Sequence, residues 1–328
     1  MTNTHCPFFG RCGGCVYTQS ADYLPMKKKW VEEALAHKAL SAPIEDVKPT
    51  PLHVRRRVTF AFRKNLFGFH ALKTHTIVSV TDCPVLLPPL AELIEPLRAL
   101  LTPFHATGSV FATWTDAGAD IAIDADMTPH LEQIEALTTF CQQHNIARLT
   151  FNDMPMYQAV NLPFAPKSFM QPSQEGERLL TQQVTAWAKG SHYAADLFCG
   201  LGTFTRPLQD MGLQVEAFDS NAPAIAALSQ QATAYVRDLF RDPLSTDELS
   251  KYDLVVLDPA RAGAMAQCQT LAPSRVAKVI MISCHLGSFA RDARILVNGG
   301  YRLEKVAPVD QFIYSRHLEV VALFAKTS

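Results

Sequence analysis

Asp196-Leu-Phe-Cys-Gly-Leu-Gly-Thr203 decides the fold of the C-terminal half of this chain. It follows apolar Ala194-Ala195 and runs into Phe204-Thr-Arg-Pro-Leu208, so the stretch predicts a strand, a Gly-rich turn and a helix start. Open α/β sheets hold ligands at such strand C-termini. Gly200 and Gly202 let backbone approach a ligand where a Cβ would block it. Further on, Val215-Glu-Ala-Phe-Asp219 predicts a second strand that ends in an acid. That is the ordinary place for a carboxylate binding ribose hydroxyls. The glycines are spaced G-x-G without a third, which disfavours a dinucleotide pyrophosphate. A nucleoside without phosphates, such as S-adenosylmethionine, fits better.

Outward from this stretch, strands and helices alternate. Helix 175–188, strand 193–198, helix 204–211, strand 214–219 and helix 222–231 are followed by strands 253–257 and 277–282, helix 286–297, and strands 301–309 and 317–325. That pattern is α/β, a doubly wound Rossmann-like sheet. Upstream the texture is β-rich: a helix over 22–38, strands at 53–63, 67–69 and 76–80, a helix over 86–101, a hairpin around Asp116-Ala-Gly118 and a helix over 131–144. Three segments result: residues 1–20, 21–165 and 166–328.

With 30 Lys and Arg against 31 Asp and Glu, the net charge of −1 does not advertise a nucleic-acid binder. An RNA site must therefore rest on local patches, and Lys27-Lys-Lys29 and Arg55-Arg-Arg57 are the candidates. Each reads equally as a solvated helix face or a charged strand end. No apolar run is long enough to span a bilayer and no signal peptide is evident, so the expectation is a cytoplasmic protein with no membrane role. Of the eight Cys, Cys6, Cys12 and Cys15 open the chain and Cys83 stands alone before Pro84. A cluster, a four-cysteine zinc site and buried thiols are the three readings of that set.

Three strand ends carry candidate chemistry. Asp258-Pro-Ala-Arg-Ala-Gly263 follows one, Ser283-Cys284-His285 the next, and Asp310-Gln-Phe-Ile-Tyr-Ser-Arg-His-Leu-Glu319 leads into the last. Alone, Cys284 reads as a small buried hydrophobe and Glu319 as a surface acid. Together they suit a uracil. Its C5 is a poor nucleophile until a thiolate adds at C6, and a base must afterwards remove the C5 proton. A helix N-terminus and His285 are expected to favour the Cys284 thiolate.

These motifs resemble the RNA uracil-C5 methyltransferase family. The likeness runs through Cys6, Cys12, Cys15, Cys83, Arg55-Arg-Arg-Val58, Gly68-Phe69, Asp82-Cys-Pro-Val85, Phe169-Met-Gln171, Asp196–Thr203, Asp258–Gly263, Ser283-Cys284 and His317-Leu-Glu319. The resemblance implies a methyltransferase sheet with an antiparallel last strand, an N-terminal iron–sulfur segment and a β-rich α+β RNA-binding domain. It implies S-adenosylmethionine held by Gln171, Phe198, Gly200, Gly202, Thr203, Asp219, Asp238 and Asp258. It further implies Cys284 as nucleophile, Glu319 as base, and a [4Fe–4S] cluster on Cys6, Cys12, Cys15 and Cys83. The expected partner is RNA, ribosomal rather than transfer, with the target uridine flipped out and the protein a monomer. Arg55–Arg57 and Lys27–Lys29 would meet phosphates. The chain departs from the family pattern at Cys284-His-Leu286, Asp258-Pro-Ala-Arg261, Phe312-Ile-Tyr-Ser315 and Ser173. Those departures leave an alternative: a diverged, non-catalytic RNA-binding or iron–sulfur-sensing protein. A methyltransferase for another substrate is a third reading, disfavoured because N- or O-methylation needs no enzyme thiolate.

Overall fold

The computed structural model describes residues 6–18 and 20–327, so residues 1–5 and 19 of the expected cysteine segment, and residue 328, lie outside the described residues. In chain order the elements are α1 (Tyr23–Ala36), β1 (Lys48–Pro49), β2 (Arg57–Arg63), β3 (Leu66–His70), β4 (Ile77–Ser79), α2 (Pro88–Glu92), α3 (Ile94–Leu101), β5 (Thr107–Thr115), β6 (Gly118–Ala125), α4 (Leu131–Gln143), β7 (Ile146–Phe151) and β8 (Met154–Gln158). Then come α5 (Gln174–Ala188), β9 (Tyr193–Leu197), α6 (Thr205–Asp210), β10 (Gln214–Asp219), α7 (Ala222–Leu228), β11 (Thr233–Val236), α8 (Thr246–Leu249), β12 (Leu254–Leu257), α9 (Met265–Leu271), β13 (Lys278–Ser283), α10 (Leu286–Asn298), β14 (Tyr301–Asp310) and β15 (Glu319–Lys326). Two compact units form. The first takes residues up to 20, 51–174 and 313–316; the second takes 21–50, 175–312 and those from 317 on.

The first unit is a seven-stranded sheet in the order β4-β3-β2-β5-β6-β7-β8. Only β6 and β7 pair in parallel, and α4 makes the crossover that a parallel pair requires. Phe60, Phe62, Phe67, Leu90, Ile94, Val110, Ile121 and Phe151 are buried in one core. Two expectations shift here. The strand expected from residue 53 starts at Arg57, because the Arg55 N–H donates to Val85 O and the Arg56 N–H to Pro172 O instead of into the ladder. The single helix expected over 86–101 breaks at Leu93. Pro96 accounts for the break: in a continuous helix its ring would clash with the carbonyl of Glu92.

The second unit is an eight-stranded sheet in the order β1-β14-β15-β13-β12-β9-β10-β11. The strands run parallel except β15, which lies antiparallel between β13 and β14. Both faces are covered, so central strands read as unbroken apolar runs. Val255 and Leu257 face a core shared with α1, α9 and α10, while Leu254 and Val256 face a core shared with α5 and α6. Residues 21–50 cluster with this unit rather than with the central β-rich segment where the sequence reading set them. The reason is local: α1 carries Lys27, fully buried, whose Nζ donates to Asp310 Oδ1 at 2.5 Å. Lys27 therefore does not serve a phosphate, correcting one of the basic-patch expectations. Among the described residues no helix is long and apolar enough to cross a membrane.

Candidate active site

The seven parallel strands end along one edge of the second unit's sheet, and the sequence-predicted residues gather there. β9 ends at Leu197, and the chain turns through Phe198, with φ +64°, into the Gly-rich loop. The backbone N–H groups of Phe198 and Cys199 donate to Phe218 O on neighbouring β10. At Gly202, φ is +86° and a Cβ would come within 2.6 Å of Leu228 Cδ1, so this turn is closed to any side chain. Gly200, at φ +54°, faces open space instead. Asp219 is held at both oxygens: Gly200 N–H donates to Oδ2 at 3.0 Å and Asn221 N–H to Oδ1 at 2.8 Å. A carboxylate fixed in this way is preorganised to take a diol. The Phe198 ring lies 5.1 Å from that of Phe240, and the Phe240 N–H donates to Asp238 Oδ1, so Asp238 belongs to the same rim. Thr203 is half-buried in the loop.

Sequence reading did not single out Asp196 as a site residue. It is fully buried at the end of β9, its Oδ2 accepts from Thr205 Oγ1 at 2.6 Å, and its Oδ1 has no hydrogen-bond partner among the described residues. Burial, with the Asp219 charge adding to it, pushes its carboxyl up to about 7. The signal was an acid inside the apolar run Ala194-Ala-Asp-Leu197.

Next along the edge are Asp258, Cys284 and Glu319. The register pairs Ser283 with Val320, which brings Cys284, one residue beyond, beside Glu319. Glu319 is 5% exposed, and burial pushes it up to about 7 against the Gln311 Nε2–H donated to its Oε1 at 3.1 Å. Burial drives Asp258 well above the usual carboxylate range, reinforced by the charges of Glu319, Asp196 and Asp219. Cys284 is pushed up to about 11, by burial first and then by Glu319 and Asp258, with Arg261 opposing. This corrects the expectation that the α10 N-terminus and His285 would favour the thiolate. The His285 ring is occupied as the helix cap, its Nδ1 accepting from Ser288 N–H at 3.2 Å. Burial and two acids outweigh one helix end here.

Gln171 belongs to the first unit, where it is buried and its backbone carbonyl accepts from Arg56 Nε. The same unit brings all four predicted ligand cysteines together: Cys6, Cys12, Cys15 and Cys83 line one cavity of about 270 Å³. Burial and the neighbouring thiols push Cys15 up to about 12, and burial pushes Cys83 up to about 11. Gly13 sits where a Cβ would lie 2.8 Å from His70 O, which keeps the loop tight against β3. Among the described residues, no group of three or more His, Cys, Asp or Glu side chains is arranged to hold a metal ion.

Comparison with known proteins matches this arrangement. The family model for tRNA (uracil-5-)-methyltransferase matches residues 228–327, which include Asp258, Cys284 and Glu319. An uncharacterized RNA methyltransferase of Brucella melitensis is 36% identical over 351 residues, covering 99% of this chain and 84% of that protein. The chain belongs to the RNA uracil-5-methyltransferase family. Another member, the 23S rRNA (uracil(1939)-C(5))-methyltransferase RlmD of Shewanella woodyi, is 28% identical, with 97% of this chain and 81% of that one covered. The fold is shared with the crystal structure of the tRNA (uracil-54, C5)-methyltransferase of Pyrococcus abyssi in complex with S-adenosyl-L-homocysteine. The TM-score is 0.72 at 20% identity, over 94% of this chain and 84% of that one.

Proposed function

We infer that this RNA methyltransferase methylates C5 of a uridine in ribosomal RNA, through a covalent adduct between Cys284 and uracil C6. The observation that carries the reading is the grouping of a thiol and two carboxyls of raised proton affinity at the ends of three neighbouring strands. S-adenosylmethionine supplies the methyl group, as a sulfonium with a high intrinsic tendency to give it up. Asp219 takes the ribose hydroxyls, Phe198 and Asp238 the adenine, and Gly200, Gly202 and Thr203 shape the loop; Gln171 joins this set on resemblance. Cys284 adds to C6 of a flipped-out uridine, giving C5 the electron density to accept the methyl. Asp258, its proton affinity raised by burial, donates its carboxyl proton to uracil O4 while its other oxygen accepts from N3–H, stabilising charge there. Glu319 then takes the C5 proton; the C–H electron pair restores the C5–C6 double bond and the C6–S bond breaks. Presence of all three groups argues against the non-catalytic alternative.

Cys6, Cys12, Cys15 and Cys83 are proposed to hold a [4Fe–4S] cluster. Their common cavity supports a shared metal group, and the lone Cys83 behind a long loop favours a cluster over a zinc site, which usually pairs two short Cys-x-x-Cys units. The cluster would tie the N-terminal loop to the segment before α2. Arg56 is buried with its Nε on Gln171 O, so Arg55, Arg57, Lys28 and Lys29 are left as the basic residues for RNA.

The test is incubation with S-adenosylmethionine and unmodified total RNA, then mass spectrometry for 5-methyluridine, with Cys284→Ala alongside. Product from the unaltered chain alone, in the large ribosomal RNA fraction, supports the reading. No product from protein that binds S-adenosylmethionine sinks it.

A further inference from the structure

The reaction needs more than a base; it needs the base held in one place and kept ionised when required. Gln311 is the side chain bonded to Glu319, and Lys27 and Asp310 hold the chain on either side of it. β14 ends at Asp310, which is fully buried and held from three sides. Its Oδ1 accepts from Lys27 Nζ at 2.5 Å, its Oδ2 from Tyr23 OH at 2.6 Å, and its carbonyl from Thr50 Oγ1 at 3.1 Å. Lys27 Nζ also donates to the carbonyls of Phe312, at 3.4 Å, and His317, at 2.8 Å. Gln311 therefore has the residue before it and the residue after it both clamped by α1. It is 2% exposed, and its Nε2–H reaches Glu319 Oε1. Among the described residues none bonds Glu319 Oε2.

We propose that Gln311 is a positioning residue for the proton-removal step, with Lys27 and Asp310 as its anchor: its amide fixes Oε1 of Glu319 and thereby presents Oε2 to the C5 proton. This rests on Glu319 being the base. The hydrogen bond is donated to the carboxylate, so it favours the ionised form. The groups acting on Glu319 from the other elements are Asp258 after β12 and Cys284 after β13, and both oppose a second negative charge. Gln311 is the neutral group that counters them. Without its N–H, the carboxyl takes up a proton at higher pH and the methylated adduct resolves more slowly at neutral pH.

Two variants test this, Gln311→Met, which keeps the length and removes the donor, and Gln311→Glu, which replaces the donor by another acid. Adduct breakdown is followed across pH 6 to 9 by single-turnover kinetics and by gel, beside Glu319→Gln. The acid limb of the profile is expected to move up by about one pH unit in Gln311→Met, an approximately tenfold slowing at pH 6 that recovers by pH 9. In Gln311→Glu it is expected to move further. Whichever of the two folds decides the matter. An unmoved limb, while Glu319→Gln still accumulates adduct, overturns the role of Gln311 alone. If Glu319→Gln neither accumulates adduct nor slows release, the base assignment falls and this inference with it.

Discussion

At the scale of single residues, the active edge holds protons more tightly than free side chains do. Two consequences follow. Cys284, with its thiol pushed up to about 11, should react slowly with iodoacetamide at neutral pH and faster as pH rises through 9 to 11. Adding S-adenosylmethionine should move that profile down, because a sulfonium offsets the two carboxylates. An unchanged profile would mean that the sulfonium does not lie against Cys284. Asp196 gives the second. Its folded-state value of about 7 lies above its ordinary 3.8, so its contribution to stability is complete below about pH 4 and is lost as pH rises through 7. Over that window the loss is on the order of 4 kcal/mol. Melting temperature should fall from pH 5 to pH 8, and Asp196→Asn should flatten the fall in part, leaving the contributions of Glu319 and Asp258. Glu319→Gln should itself accumulate a slow-migrating covalent protein–RNA species, and its absence from a denaturing gel would remove Glu319 from the base role.

At the scale of elements, the loop between β9 and α6 separates two glycines that look alike in sequence. Gly200→Ala meets no protein atom, so beyond the cost of a positive φ, about 1 kcal/mol, its Cβ acts on the cofactor that this loop would hold. Gly202→Ala must displace Leu228 as well and should lower stability further; thermal melts of the two cofactor-free variants would show the difference or refute it. The alternation of strands and helices after residue 174 was legible because buried parallel strands are continuous apolar runs bounded by polar turns. So was the antiparallel β15, through the resemblance. β11, with its exposed Thr233, Tyr235 and Val236, was not legible: an edge strand with one dry side lacks the apolar run. Nor were β7 and β8, although β7 is buried throughout, since six residues do not declare a period. Of the site, the thiol and acids could be read from motifs, but not the direction of the Cys284 shift, which depends first on burial and then on the carboxyls that converge there. Gln311 could not be read at all, because its meaning comes from a pairing across two strands.

At the scale of the whole molecule, two units with separate cores predict separable responses. Anaerobically purified protein should be brown, with absorbance near roughly 400 nm from cysteine-ligated iron. Stripping the metal should lower the unfolding transition of the first unit, and S-adenosylmethionine should raise that of the second. A colourless protein carrying zinc would end the cluster proposal. The chain also folds back on itself over a long interval. Lys27 and its partner Asp310 are 283 residues apart, and β15 must enter between β13 and β14 to complete the sheet. At synthesis speeds of about 5 to 20 residues per second, α1 waits roughly 15 to 60 seconds on the ribosome with a lysine whose burial site has not yet been made. Meanwhile β2 to β8, one continuous stretch, can pair as they emerge. A nascent chain stalled before residue 310 should thus protect the β2–β8 segment from protease and leave α1 open to cleavage, with the methylating half assembled only by the last strand to arrive.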